Sequence, residues 1–241
     1  MAETQRHAEF PPTKWSVIQK AAGASSASSH AALEDLCRAY WPPLYAFLRR
    51  SGHDPDKAKD LVQGYLARLL ERGDLGNIGP EKGRFRSYLL SGLRNFLVSN
   101  LRHEVAQKRG GTQLTFSMDA SDLEAALAQN VADTQTPDLA YDRQWAETIL
   151  DHALEALEKE HTARGKGPLY ALLKPVLTAE TVEDYASLGD GLGMTPGAVA
   201  VAVHRLRLRL RALVRAEVAQ SVGSEAELEE EMRSLFAALS G

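Results

Sequence analysis

Only one cysteine, Cys37, occurs among the 241 residues, which excludes an internal disulfide framework and a multi-cysteine metal site. Aromatic residues make up just 7%, and no convincing strand pattern competes with helical spacing. No window approaches the roughly 18 apolar residues needed to span a bilayer. The start, MAETQRHAEFPPTKW, carries acids and prolines but no apolar run, so it is not read as a signal peptide. No glycine-rich phosphate loop follows a strand, and His152, His161 and His204 have no partners at a recognisable ligand spacing. Together these gaps argue against an enzyme, against a cofactor or metal, and against a membrane partner. A soluble chain working in the cytoplasm is expected.

What is present is charge, unevenly spread. The formal net charge is −4, yet residues 80–110 carry seven basic residues against two acids, a net of +5. Residues 198–216 hold five arginines and no acid, whereas 115–160 hold eleven acids against Arg143 and Lys159, a net of −9. Two basic segments separated by an acidic one suit a nucleic-acid binder with a shielding connector. Clustered solvated helix faces are the simpler alternative.

Helical spacing runs through both halves. Leu33, Leu36, Cys37, Tyr40, Leu44, Phe47 and Leu48 form one stripe, which Pro42 and Pro43 should bend or break. Asp54 and Pro55 open a second helix with Ala58, Leu61, Val62, Tyr65, Leu66, Leu69 and Leu70 inward, closed by Gly73. A third helix would turn Phe85, Leu89, Leu93, Phe96, Leu97 and Leu101 to the core. Cys37 is expected to be a small buried hydrophobe. Residues 111–139 suit an acidic linker with a short helical patch at Leu123–Leu127. That linker could lie over a basic groove until DNA competes, or simply aid solubility.

Trp145, Ile149, Ala153, Ala156 and Leu157 begin a second helical region, followed by PLYALLKPVL, which Pro175 interrupts. Then come a helix, a glycine-containing turn and another helix, opened by Thr195 and Pro196. That last helix contains HRLRLRLR, an alternation that imitates a strand. Helical spacing instead makes Val199, Val203, Leu206, Leu210 and Leu213 one core stripe, with Leu208 about 200° away from Leu206. The end, SVGSEAELEEEMRSLFAALSG, reads as an amphipathic helix with Leu228, Met232, Leu235, Phe236 and Leu239 on one side. Packing on the second domain is its favoured role, with an autoinhibitory or partner surface as the alternative.

Three stretches, YWPPLYAFLRR, DPDKAKDLVQGYLARLL and EKGRFRSYLLSGLRNFLVSNLR, resemble the first domain of extracytoplasmic-function (ECF) sigma factors of bacterial RNA polymerase. That family has a DLVQE-like helix that grips the polymerase clamp, then a G-x-F-R-x-(W/Y)-L helix that opens the minus-ten element. DYASLGDGLGMTPGAVAVAVHRLRLRLRALV is similar to the family's second domain, whose final helix reads the minus-thirty-five element. The resemblance implies an all-α chain of two small helical domains joined by an acidic linker, the second with a helix-turn-helix. Its parts would be an N-terminal segment (1–28), a region-2-like domain (29–110), the linker (111–139), a region-4-like domain (140–216) and a C-terminal helical extension (217–241).

By that resemblance Asp60, Leu61, Gln63 and Arg68 would bind core polymerase, with Gly64 where the family prefers an acid. Arg84, Arg86, Tyr88, Arg94, Asn95 and Arg102 would meet minus-ten DNA. Thr195, Pro196, Gly197, Ala198, Ala200, His204, Arg205, Arg207, Arg209 and Arg211 would meet minus-thirty-five DNA. Between Pro196 and Val203 no side chain carries a hydrogen-bonding group, so bidentate base contacts are excluded there. The arginines beyond are expected to grip phosphates. Core RNA polymerase and promoter DNA are the implied partners, and an anti-sigma factor is compatible with the family. The alternative is a free-standing helix-turn-helix regulator, which would leave the DLVQGYLARLL and GRFRSYLL helices without a purpose.

Overall fold

The computed structural model describes residues 27–71, 84–106, 136–178 and 185–240, without the side chains at 27–36, 70–71 and 101–106. The Leu33, Leu36, Leu70, Leu101 and Arg102 side chains, Gly73, and the linker patch at Leu123–Leu127 lie outside that description. The described residues form eight α-helices in order: α1 Ala27–Arg50, α2 Pro55–Glu71, α3 Phe85–Ala106, α4 Pro137–Ala163, α5 Gly167–Leu173, α6 Tyr185–Leu192, α7 Pro196–Ala219 and α8 Glu225–Ser240. Among the described residues there is no strand, and the fold is all-α. No described helix is long and apolar enough to cross a membrane.

Local chemistry sets the helix ends. Asp54 Oδ1 accepts the Lys57 amide at 2.9 Å, an N-cap whose carboxyl is held below its usual pKa chiefly by that bond. Thr136, Thr195 and Ser224 accept amides of Leu139, Ala198 and Glu227, each at 3.3 Å. Glu227 reaches back to the Gly223 amide at 2.8 Å, so the start of α8 is doubly capped. Pro175 falls in a 3-10 turn, Lys174–Val176, directly after α5.

The chain divides into two compact units: Met1–Thr148 with Val218–Gly241, and Ile149–Glu217. In the first unit the α2 stripe is buried from Ala58 to Leu69. Helix α1 continues through Pro42 and Pro43, where the sequence predicts a bend or break. Ala39–Trp41 and Leu44–Leu48 on either side are buried, and Trp41 stacks on Tyr45 with centroids 4.8 Å apart. Packing of that face outweighs the two missing backbone donors. Cys37 is only partly buried, because it sits where the helix is just entering the core.

The first unit also takes in the C-terminal helix. Leu228, Met232 and Leu235 are buried, whereas Phe236 and Leu239 are exposed. The sequence reading seats this helix on the second domain; its ion pairs run instead to Arg84 and Arg86 at the start of α3.

In the second unit, α7 is one helix through the arginine–leucine alternation. Val199, Val203, Leu206 and Leu210 are buried and Leu208 is 56% exposed. The stripe continues through Val214 rather than Leu213. Four residues advance about 400° and three about 300°, so Val214 lies nearer the line through Leu210. Gly193, at φ +62°, makes the turn before α7, and the Met194 amide returns to Gly189 O at 2.9 Å. A Cβ on Gly189 would lie 2.5 Å from Met194 O, so this glycine permits a close backbone approach. Tyr170 Oη donates to Leu154 O at 2.9 Å and stacks on His161 at 5.7 Å, fixing α5 against α4.

Candidate nucleic-acid interface

Helices α2 and α3 meet at a close approach built on two residues. Tyr65 Oη donates to Leu89 O at 2.9 Å, and a Cβ on Gly92 would lie 2.4 Å from that hydroxyl. Burial drives the Tyr65 pKa far above its ordinary value, so the phenol stays a neutral donor. Beside this contact opens a cleft of about 430 Å³ lined by Tyr65, Arg68, Leu69, Tyr88, Ser91, Gly92, Asn95 and Phe96. The lining residues recur at three and four along each helix, so each helix turns one face to the cleft.

The cleft offers aromatic faces, an amide and one cation. Tyr88 and Phe96 are half-buried and Ser91 and Asn95 exposed. The Arg68 guanidinium lies 5.8 Å from the Phe96 ring centroid. Such a lining can stack a planar heterocycle and hydrogen-bond its edge. It joins Arg68, expected on polymerase, with Tyr88 and Asn95, expected on minus-ten DNA. Phe96, expected in the core, borders the cleft instead, because its position faces α2 across a glycine, Gly64. Tyr65 is buried as its place in the α2 stripe predicts, and its hydroxyl end reaches the cleft; Ser91 and Gly92 went unassigned from sequence. Their signal was the spacing itself: Tyr88, Ser91, Gly92, Asn95 and Phe96 share one face of α3.

The remaining α3 residues lie elsewhere. Arg86 is buried at 7% exposure. Its Nε and Nη2 donate to the two carboxylate oxygens of Glu231 at 2.5 and 3.1 Å, and Nη1 pairs with Asp142. Its guanidinium lies 4.6 Å from the centroid of the Trp145 ring, and Tyr141 Oη donates to Arg86 O at 2.9 Å. Burial alone would lower the guanidinium pKa, but the Glu231 bonds and the Asp142 charge outweigh it and hold it above its usual value. Arg86 is therefore a packed, charge-satisfied hub, not a side chain presented to solvent. Arg84 contacts Glu230 at 2.5 Å and Glu231 at 3.2 Å, and that hydrogen bond holds the Glu230 carboxyl below its usual range. Arg94 pairs with Asp138 and lies over the Phe47 ring at 5.4 Å.

On α2, Asp60 is exposed and Gln63 half-buried, both accessible. Leu61 is 4% exposed and packs inward, so it offers no outer surface. A Cβ on Gly64 would meet Phe96, a cleft residue, at 3.4 Å.

In the second unit, Thr195, Pro196, Gly197, Ala198, His204, Arg205 and Arg211 are exposed, and Ala200 is half-buried. Arg207 Nη2 donates to Val176 O at 2.8 Å. Arg209 makes a two-pronged pair with Glu160, 2.9 Å at Nε. This bond lowers the Glu160 pKa and raises that of Arg209.

Residues 36–106 match the family model for sigma-70 region 2. This stretch contains both walls of the cleft. Searches of curated proteins and of solved structures give no match. The matched stretch spans α2, α3 and the later part of α1, while the carboxylates paired with Arg84, Arg86 and Arg94 come from outside it.

Proposed function

We propose that this chain is a sigma factor of the ECF type that binds core RNA polymerase through the first unit and directs initiation at a promoter. The observation that carries the reading is the aromatic cleft inside the region-2 match. Opening a promoter requires unstacking a base, at a cost of a few kcal/mol. Stacking on a protein aromatic returns about 1–3 kcal/mol per base, and Tyr88, Phe96 and Asn95 supply faces and an edge partner for it. Asp60, Gln63 and Arg68 on α2 are the polymerase contacts in this reading; Leu61 supports them from the core.

The second unit serves as the minus-thirty-five module. Its short α6, the turn at Gly193 and the long α7 fit a helix-turn-helix, with Thr195–Ala198 at the end that approaches base edges. That end offers backbone amides and small apolar groups, suited to a phosphate and to thymine methyls. Arg205 and Arg211 add salt-sensitive phosphate grip. The chain needs no cofactor for this work, and the work is done in the cytoplasm, where polymerase is.

Gel filtration with sigma-free core polymerase tests the reading. The expected result is a stable complex that survives the column. A chain that elutes alone while still binding DNA would instead be a free-standing regulator.

A further inference from the structure

Arg84, just before α3, and Arg86 and Arg94 within it are engaged by four carboxylates that all lie outside the matched stretch 36–106. Glu230 and Glu231 come from α8, and Asp138 and Asp142 from the start of α4. The pairs fall into two tiers. Arg86 and Glu231 are both buried, with side chains 9% and 1% exposed. Glu231 occupies a stripe position with Leu228, Met232 and Leu235 that would otherwise be apolar. The Ser224–Glu227 cap fixes the register that brings it there. Separating this pair would strand a buried carboxylate, so Arg86 is not exchangeable.

The outer tier differs. Glu230 is 58% and Asp138 55% exposed in their pairs with Arg84 and Arg94, and Arg84 keeps a second contact, to the buried Glu231 at 3.2 Å, when Glu230 leaves. Ion pairs this open to water are weak and screened by salt. A nucleic-acid phosphate can replace such a carboxylate, and release of condensed counterions from the strand favours the exchange. The surroundings are already acidic: five of the seven residues from Glu225 to Glu231 are glutamates.

We propose that α8 and the first turns of α4 form an acidic mask on α3, anchored by Arg86–Glu231–Asp142 and closed by the exchangeable pairs Arg84–Glu230 and Arg94–Asp138. In the free chain the mask neutralises two cations carried at the start of and along the helix that forms one wall of the aromatic cleft, and DNA phosphates displace the outer carboxylates when a strand binds. Arg86 stays in place throughout and keeps α8 attached. The mask thus lowers the affinity of the free chain for DNA without closing the cleft. This rests on the sigma-factor reading of α3.

The test uses the full chain with Glu230→Gln and Asp138→Asn together, both substitutions near-isosteric and at exposed positions. Fluorescence anisotropy with a labelled mixed-sequence single strand reads the affinity, and thermal melting reads the fold. At low salt the double variant should bind about three- to tenfold more tightly than the wild type, with the gain shrinking as salt rises. Glu155→Gln with Glu158→Gln, in the second unit, removes the same formal charge and should give no comparable gain. Adding Arg84→Ala to the masked-pair variant should return the affinity towards wild type. Glu230→Gln alone serves if the double variant melts early, with a smaller gain expected. No gain, an equal gain in the second-unit control, or indifference to Arg84→Ala would each overturn the mask. Core-polymerase co-elution of the same variants separates the two readings. Intact co-elution without an affinity gain removes the mask alone, and lost co-elution in the wild type removes the sigma reading.

Discussion

The two arginine-bearing helices, α3 and α7, are used differently. Arg84 at the start of α3, and Arg86 and Arg94 within it, engage carboxylates from distant parts of the chain, and the face towards the cleft is aromatic and amide-bearing. On α7 two arginines are held within the second unit, while Arg205 and Arg211 remain exposed. A basic run in sequence therefore does not identify which cations are left to solvent. On α3 part of the charge is architecture, and on α7 more of it faces outward.

The comparison breaks most visibly at Arg86. Arg86→Ala should destabilise the first unit by about 3–5 kcal/mol, because Glu231 would remain buried without its partner. Urea unfolding monitored at Trp145 would record it, whereas Arg205→Ala should leave stability nearly unchanged. A DNA-binding loss in Arg86→Ala with full stability would make Arg86 a direct contact instead.

Glycines in the second unit give the next effect, with opposite signs two residues apart. Gly189→Ala drives a Cβ to 2.5 Å from Met194 O and should cost about 1–3 kcal/mol. Gly191→Ala meets nothing within 4 Å and should stabilise α6 by up to about 1 kcal/mol. Thermal melts of the two variants should move apart; parallel shifts would refute the close approach.

A smaller change is expected in DNA grip. Arg205→Gln with Arg211→Gln should weaken binding similarly on promoter and random DNA, and flatten the salt dependence by about 0.9 in log–log slope per lost phosphate contact. Arg207→Gln with Arg209→Gln should weaken it less, since those side chains already have partners in the chain. A loss confined to one promoter sequence would mean that α7 arginines read bases.

Acid gives the smallest effect. Glu160 and Glu230 have folded pKa values below their ordinary range, each because an arginine donates to it. Their stabilising contribution is complete above the ordinary carboxylate pKa and fades as pH falls through the lowered value. Glu230 is exposed and Glu160 half-buried at the surface, so melting temperatures of wild type and Glu160→Gln should differ slightly at neutral pH and converge in acid. A difference that persists in acid would assign the effect to packing.

Much of the helix framework was legible because apolar residues repeat at three and four. The caps at Asp54 and Thr195 were legible because their side chains act locally, and the strand-like HRLRLRLR resolves once Leu206 and Leu210 are placed on one stripe. Pro42 and Pro43 misled, because burial of the flanking residues depends on α2 and α3 and not on local sequence. The destination of Glu231 was hidden for the same reason: a glutamate in an apolar stripe signals a buried partner but does not say which one. The cleft was half visible. Tyr88 and Asn95 were singled out, but Phe96 looks like core until the Tyr65–Gly92 approach shows where packing stops, while Tyr65 is core as its spacing predicts.

Mapped transcription in vitro tests the central claim most directly. Sigma-free core polymerase, genomic DNA and this chain should together yield transcripts from discrete start sites sharing an upstream element, and Tyr88→Ala should reduce them while core binding persists. Transcripts identical to those of core polymerase alone would contradict the account.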